Sequence, residues 1–307
     1  WIRSHRSPKH QVDEHVPYAF LVEEERTASG AIESVATLFL TNKECPFRCL
    51  MCDLWKNTTD ETVQVGSIPA QISYALARLP QAKHIKLYNS GNFFDTKAIP
   101  PEDYSAIASL LDPFETVIVE CHPRLINERC LTFRDMIKGK LEVAIGLETA
   151  QPEVLDKLNK RMTLDDFRQS VSFLNDHGIR SRAFILLKPP FMTESEGVHW
   201  AKQTIDFAFD AGVECCVVIP TRAGNGAMEV LQAEGFFFRP SLDSLEEVVD
   251  YGIALGRGRV FADVWDLEIF ADCPECLEAR KRRLESINLY QEPLPHISCE
   301  CTTTRDF

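Results

Sequence analysis

No apolar run in this sequence approaches the roughly 20 residues a helix needs to cross a bilayer, so no membrane partner is expected. The opening Trp1-Ile2-Arg3-Ser4-His5-Arg6 reads as no signal peptide. Basic charge is scarce too: 33 Lys and Arg against 46 Asp and Glu leave a net charge of −13. That balance disfavours a broad nucleic-acid surface, although it leaves room for a local basic funnel at a site. A disulfide framework is also missing, because 11 cysteines is an odd number and seven of them fall in two tight groups. Metal ligation in a reducing compartment, the cytoplasm, is the expectation. With 307 residues, 45% of them hydrophobic, the chain suits one large α/β domain with appendages.

The first cysteine group is Cys45, Cys49 and Cys52, spaced by three and two residues and lying just beyond the apolar run Val35-Ala36-Thr37-Leu38-Phe39-Leu40. That run reads as a buried strand, and a loop leaving a strand end is where α/β folds place chemistry. An iron-sulfur cubane held wholly by protein needs four cysteines, so three leave one iron open to another ligand. An open metal position marks a reactive centre, as it does in zinc enzymes. A zinc site, a redox dithiol and chance core cysteines compete with this reading. A closed electron-transfer cluster would need a fourth thiolate, from Cys121 or Cys130.

From residue 35 onward a strand-helix rhythm sets in. Strands are expected at 35–40, 84–88, 116–120, 141–145, 181–187 and 213–219, with a short one at 259–264. Helices fall between them near 67–79, 101–111, 125–138, 163–177, 195–211 and 242–255, the first capped by Ser67 and the fourth by Thr163 with Asp166 three residues on. Six βα units with perhaps a seventh strand argue a parallel sheet curled toward a barrel, although a doubly wound sheet fits the rhythm nearly as well. Domain bounds follow: an N-terminal extension at 1–34 with a strand near Tyr18–Val22, a barrel at 35–265, and a cysteine-rich tail at 266–307.

Residues just past the carboxyl ends of parallel strands share one rim. Ser90-Gly91-Asn92 follows the second strand, and Gly91 permits a tight turn that offers backbone groups to a ligand. Glu120 ends the third strand as a candidate partner for a cation or hydroxyl, while neighbouring Cys121 and His122 read as packing. Glu148 lies past the fourth strand. Along the fifth, period two puts Arg182, Phe184, Leu186 and Lys188 on one face; two cations there point that face inward, toward a carboxylate.

CxxxCxxC after an N-terminal strand resembles the radical S-adenosylmethionine (SAM) superfamily, with Met51 where an aromatic residue often precedes the third cysteine. The resemblance implies a partial (β/α)6 barrel and a [4Fe-4S] cluster on Cys45, Cys49 and Cys52 whose fourth iron is chelated by SAM. It also implies Ser90-Gly91-Asn92 around the SAM amino group, Glu148 on ribose hydroxyls, Arg182 or Lys188 on a carboxylate, and an external one-electron reductant such as a flavodoxin or ferredoxin. The strings Ser90–Asp95, Gly146–Thr149, Leu158–Thr163 and Leu186–Phe191 are further similar to the radical SAM subunit of archaeosine synthase and its relatives. That narrower likeness implies a 7-deazaguanine-type nucleoside in tRNA as substrate and a partner subunit; a small-molecule metabolite is the alternative.

The second cysteine group is Cys273-Pro274-Glu275-Cys276 with Cys299-Glu300-Cys301. Four soft ligands suffice to close a tetrahedral site, and thiolate ligation alone does not choose between structural zinc and an auxiliary iron-sulfur cluster. Between the pairs, Arg280-Lys281-Arg282-Arg283 reads as a solvated helix face, or as a phosphate contact if the tail lies near the rim. Two non-enzymatic readings stand beside the enzyme: a zinc-stapled RNA-binding module and an electron-transfer iron-sulfur protein.

Overall fold

The computed structural model describes residues 1–299 and 301; the rest of the tail expected at 266–307 lies outside the described residues. In chain order the elements are β1 (Ala19–Arg26), β2 (Ile32–Phe39), α1 (Ser67–Leu76), β3 (His84–Tyr88), α2 (Tyr104–Leu110), β4 (Thr116–Glu120), α3 (Glu128–Met136), β5 (Lys140–Glu148), α4 (Pro152–Lys157), α5 (Leu164–Asp176), β6 (Arg180–Leu187), α6 (Glu194–Asp210), β7 (Cys215–Pro220), α7 (Ala227–Ala233), α8 (Leu242–Leu255), β8 (Arg259–Ala262) and α9 (Pro274–Tyr290). The strands form one eight-stranded sheet in sequence order. Strand β1 pairs antiparallel with β2, with Ala19 opposite Phe39, and β2 to β8 run parallel. This is the curled α/β partial barrel that the rhythm predicts, and the strand near Tyr18–Val22 is its antiparallel edge.

Alternation along the strands builds two different faces. Leu38, Leu87, Val119, Val143, Ile145, Ile185 and Val218 point to the helices and join the main apolar core, the dominant favourable term in folding. The opposite face is charged at the amino-terminal end of the strands and aromatic toward the carboxyl end. At the charged end Arg182 donates to Glu142 Oε1 at 2.8 Å and to Glu25 Oε1 at 2.6 Å, and Lys86 pairs with Glu23 and Glu25. Arg259 of β8 adds Glu214 and reaches the Arg26 carbonyl at 2.9 Å, which links the two edge strands. Arg182 and Phe184 do face inward, and period two also places Glu142 and Ala144 there.

Local signals set several helix starts. Thr163 and Asp166 form the expected capping box on α5, and Thr193 with Glu196 forms another on α6. Ser67, in contrast, is the first helical residue of α1, and the cap is Gly66 at φ 96°. The basic run 280–283 is also corrected. Arg280 and Arg283 are buried, pairing with Glu246 and with Asp250 at 2.7 Å, so they pin α9 to α8 and do not meet phosphates. The run is helical as expected, but the face with Arg280 and Arg283 is turned inward, where a hydrophobic period would put apolar residues. No helix among the described residues is long and apolar enough to cross a membrane.

Candidate functional site

The loop carrying Cys45, Cys49 and Cys52 leaves the carboxyl end of β2 and is tied down from several sides. Asn159 donates from Nδ2 to the carbonyls of Phe47 and Arg48 at 3.3 and 2.9 Å, and Leu50 N donates to the Leu158 carbonyl at 2.8 Å. Asn225, past β7, donates to the carbonyls of Leu50 and Cys52 at 2.7 and 3.1 Å, and the Trp55 indole N–H also bonds Cys52 O. Phe47 stacks on His122 with ring centroids 3.6 Å apart. His122 in turn bonds the Lys160 carbonyl at 2.8 Å, and burial holds its pKa down to about 3, so the ring is neutral. The packing expected of His122 is therefore specific: it braces the loop.

Asn92 contacts the cysteine loop directly. Its Nδ2 donates to Cys45 Sγ at 3.2 Å and its Oδ1 accepts from His122 N at 2.7 Å. Gly91 lies so near that a Cβ there would sit 3.5 Å from the Cys45 Cβ. Burial raises the pKa of all three thiols, that of Cys49 to about 11, with the Lys160 ammonium opposing the rise at Cys45 and Cys49. Cys121 and Cys130 are buried in the apolar core.

Each remaining expected residue has a definite place. Glu120 turns back beneath the Ser90 turn, where Oε1 accepts from Asn89 N at 2.6 Å and Gly91 N at 3.3 Å; burial raises its pKa to about 6. These two amides are thus turned to Glu120 and not offered to a ligand, a correction to the expected presentation of backbone groups. Ser90, at φ 52°, bonds the Tyr18 hydroxyl at 3.1 Å. Glu148, at φ 66° beside a register shift in β5, pairs with Lys160 at 2.6 Å, both side chains buried. A Cβ on Gly146 would fall 2.3 Å from both partners, so a residue without a side chain is needed under this pair.

Arg182 and Lys188 are not brought to the cysteine loop as free cations. Arg182 is occupied by Glu25 and Glu142 at the barrel floor. Lys188 lies past β6 at φ 50°, where the left-handed backbone ends the strand alternation, and its ammonium is held by Glu194 and the Arg239 carbonyl at 3.2 Å. The carboxylates that period two leaves them to meet are therefore the chain's own. The buried cation near Cys45 and Cys49 is Lys160, to which the sequence reading gave no role. Its only signal was its place in the string Leu158–Thr163.

Above the charged floor a cavity of about 490 Å3 opens inside the sheet, walled by Phe39, Tyr88, Phe184 and Trp265 and bordered by Asp53 and Leu54 of the cysteine loop. It is of a size to enclose a small molecule or a single nucleoside. In the tail, Cys273 and Cys299 sulfurs lie 3.8 Å apart and those of Cys276 and Cys301 3.7 Å apart, all four within 4.8 Å. Cys273 opens α9, and backbone N–H groups there lower its pKa to about 7.

The three cysteines stand on a loop at a strand end of a curled, largely parallel α/β sheet, the partial-barrel architecture expected. No family model matches the chain. In sequence it is 23% identical over 313 residues to an uncharacterized protein of Methanocaldococcus jannaschii, covering 94% of this chain and 86% of that one. It is 27% identical over 212 residues to the archaeosine synthase subunit beta of Methanosarcina acetivorans, covering 66% of this chain and 60% of the relative. In fold it is similar to an archaeal Elp3 of Methanocaldococcus infernus, with a TM-score of 0.53 at 14% identity, over 73% of this chain and 59% of that chain. These likenesses agree with the resemblance carried by Cys45, Cys49 and Cys52.

Proposed function

We propose that this chain is a radical SAM enzyme in which Cys45, Cys49 and Cys52 hold a [4Fe-4S] cluster with one iron left to SAM. The observation that carries the reading is the bracing of a three-cysteine loop at a strand end, with an amide aimed at one sulfur and an open cavity beside it. When bound, the cluster and SAM supply a 5′-deoxyadenosyl radical that removes hydrogen from a substrate. The chain's own residues position and shelter. Asn92 orients Cys45, and Glu120 fixes the Ser90-Gly91 turn with its amides inward, which leaves its carbonyl oxygens for the amino group of SAM. Lys160, paired with Glu148, sets the charge beside the sulfurs of Cys45 and Cys49, and in this proposal Glu148 takes the ribose role that the resemblance gives it. Phe39, Tyr88, Phe184 and Trp265 give the cavity apolar walls against which a substrate would pack.

For substrate, the likeness to archaeosine synthase subunit beta supports a role in archaeosine synthesis beside a partner subunit, and the sequence resemblance implies a 7-deazaguanine-type nucleoside in tRNA and an external one-electron reductant. The division into 1–34, 35–265 and 266–307 belongs to the same reading. In the tail we propose structural zinc: a tetrahedron with zinc-sulfur arms of about 2.3 Å has edges of about 3.8 Å, close to the 3.8 and 3.7 Å separations found there.

The test is anaerobic reconstitution followed by SAM and dithionite. The wild-type protein is expected to form 5′-deoxyadenosine and a Cys49→Ala protein none; equal product from both ends the radical proposal.

A further inference from the structure

The outer side of the cysteine loop is basic although the whole chain carries −13. Arg48, Arg124, Lys157 and Arg161 are all exposed there. Their adjacency follows from contacts: Asn159 bonds the Arg48 carbonyl at 2.9 Å, and Arg124 donates to the Arg161 carbonyl at 3.3 Å. The Lys157 ammonium sits 5.1 Å over the Phe191 ring, and Phe191 lies 5.9 Å from Phe236. Phe236 and Phe238 are 52% and 58% exposed, on either side of buried Phe237.

The acids nearby do not cancel this charge. Among the described residues none forms an ion pair with Arg124, Lys157 or Arg161. Asp166 caps α5, Asp165 pairs with Arg168, and Glu44 is shared by Arg6, Lys9 and, at 3.8 Å, Arg48, which is therefore not among the unpartnered cations. Glu153 and Asp156 of α4 remain as the local counter-charge.

Cations held without carboxylate partners, next to exposed aromatic rings, match the chemistry of nucleic-acid strands: phosphates meet the cations and unpaired bases stack on the rings. We infer that Arg124, Lys157 and Arg161, with Phe236 and Phe238, form a docking surface for RNA on the outer flank of the cysteine loop. The same loop carries Asp53 and Leu54 on the border of the cavity, so RNA seated here lies against the segment that separates it from the reaction space. Each nucleotide of a single strand brings one phosphate and one base face, the pairing of charge and ring that this surface presents. The inference rests on the reading of the substrate as a nucleoside within RNA.

The experiment is fluorescence anisotropy of an unmodified tRNA transcript with the reconstituted protein, at several salt concentrations. Three phosphate contacts contribute roughly −2 to −3 to the slope of log K against log salt. The Arg124→Ala, Lys157→Ala, Arg161→Ala triple variant is expected to bind at least about tenfold more weakly, with a slope shallower by roughly that amount. A Phe236→Ala, Phe238→Ala variant loses roughly tenfold in affinity with the slope unchanged, as stacking without charge requires. Lys138→Ala with Lys140→Ala, at the opposite end of the strands, changes neither. SAM cleavage without RNA serves as the separate readout and stays at the wild-type level in the triple variant. Absence of that cleavage from the wild type sinks the radical reading alone. No tRNA binding by the wild type, or unaltered affinity and slope in the triple variant, overturns the RNA surface and leaves an acidic protein partner.

Discussion

Asn92 and Cys45 are joined by an N–H···S hydrogen bond of 3.2 Å, and the other end of the same amide is fixed by His122 N at 2.7 Å. The amide therefore has one orientation, with its donor on the sulfur. Hydrogen bonds to cluster sulfurs favour the electron-rich reduced state and raise the potential. Asn92→Ala is expected to lower the midpoint potential of a cluster held on Cys45, read by EPR-monitored redox titration. Loss of such a supporting contact typically weakens metal binding about 10- to 100-fold, so iron content after reconstitution should fall as well. An unchanged potential would mean that the sulfur does not feel this amide.

Asn159 and Asn225 grip the same loop through four carbonyl contacts. Removing either side chain leaves polar groups without their partners, at a cost of about 1–3 kcal/mol. Asn225→Ala should cost more than Asn159→Ala, because Asn225 is buried and also accepts from Met228 N at 2.8 Å. Iron per chain after reconstitution, together with the Tm of the metal-free protein, checks the order.

Glu120 gives a pH dependence. Burial raises its pKa from 4.5 to about 6 while it accepts the Asn89 and Gly91 amides. A carboxyl whose folded pKa is raised contributes stability fully present below pH 4.5, and lost as the pH climbs through 6 and the buried group ionises. Glu120→Gln carries no charge, so relative to wild type its Tm should improve as the pH rises from 4.5 to 7. SAM binding moves the other way in the wild type: below pH 6 the protonated acceptor holds the turn less firmly and affinity falls. The glutamine variant should show no inflection near pH 6.

The barrel floor predicts a different acid response. Glu25 lies beside Arg182 and Lys86, which outweigh its burial and hold its pKa far below the usual carboxylate range. Such a group stabilises the fold above its unfolded pKa, and that contribution disappears as the pH falls toward the folded value. Glu25→Gln leaves two buried cations short of a partner and should cost about 3–5 kcal/mol near neutral pH. Denaturant unfolding at pH 7 and pH 3 separates the cases: the variant's deficit is large at pH 7 and shrinks in acid.

Much of the scaffold could be read in advance because it rests on repetition. Alternating apolar positions gave the strands, and capping residues such as Thr163 marked helix starts. Asn92, Glu120 and Lys188 do stand at strand ends, but no local pattern shows which side chains pair with them. Arg182 and Lys188 looked free because Glu25 and Glu194 are brought to them by pairing between strands and by a helix start, neither of which local patterning specifies. Lys160 was passed over for the complementary reason: it follows a short helix, away from any strand end, and reaches the thiols through a loop held by His122. The inward face of helix α9 was hidden because Arg280 and Arg283 occupy positions that a hydrophobic period would reserve for leucine.

The tail separates one metal from another by stoichiometry. Sulfur separations of 3.8 and 3.7 Å match a single tetrahedral ion with zinc-sulfur arms of about 2.3 Å. The reconstituted wild-type chain should therefore contain about one zinc and about four irons, and cobalt exchanged into the tail should give the visible bands of a tetrahedral thiolate site. Cys276→Ser should remove the zinc and leave the iron. Helix α9 is held to α8 by Arg280 and Arg283 whether or not the ion is present, so the variant should keep nearly all of its helical circular dichroism. What it should lose is protection of the segment after Tyr290, seen as faster limited proteolysis there. About eight irons per chain, or zinc unaffected by the Cys276 change, would assign these four thiols to a different role.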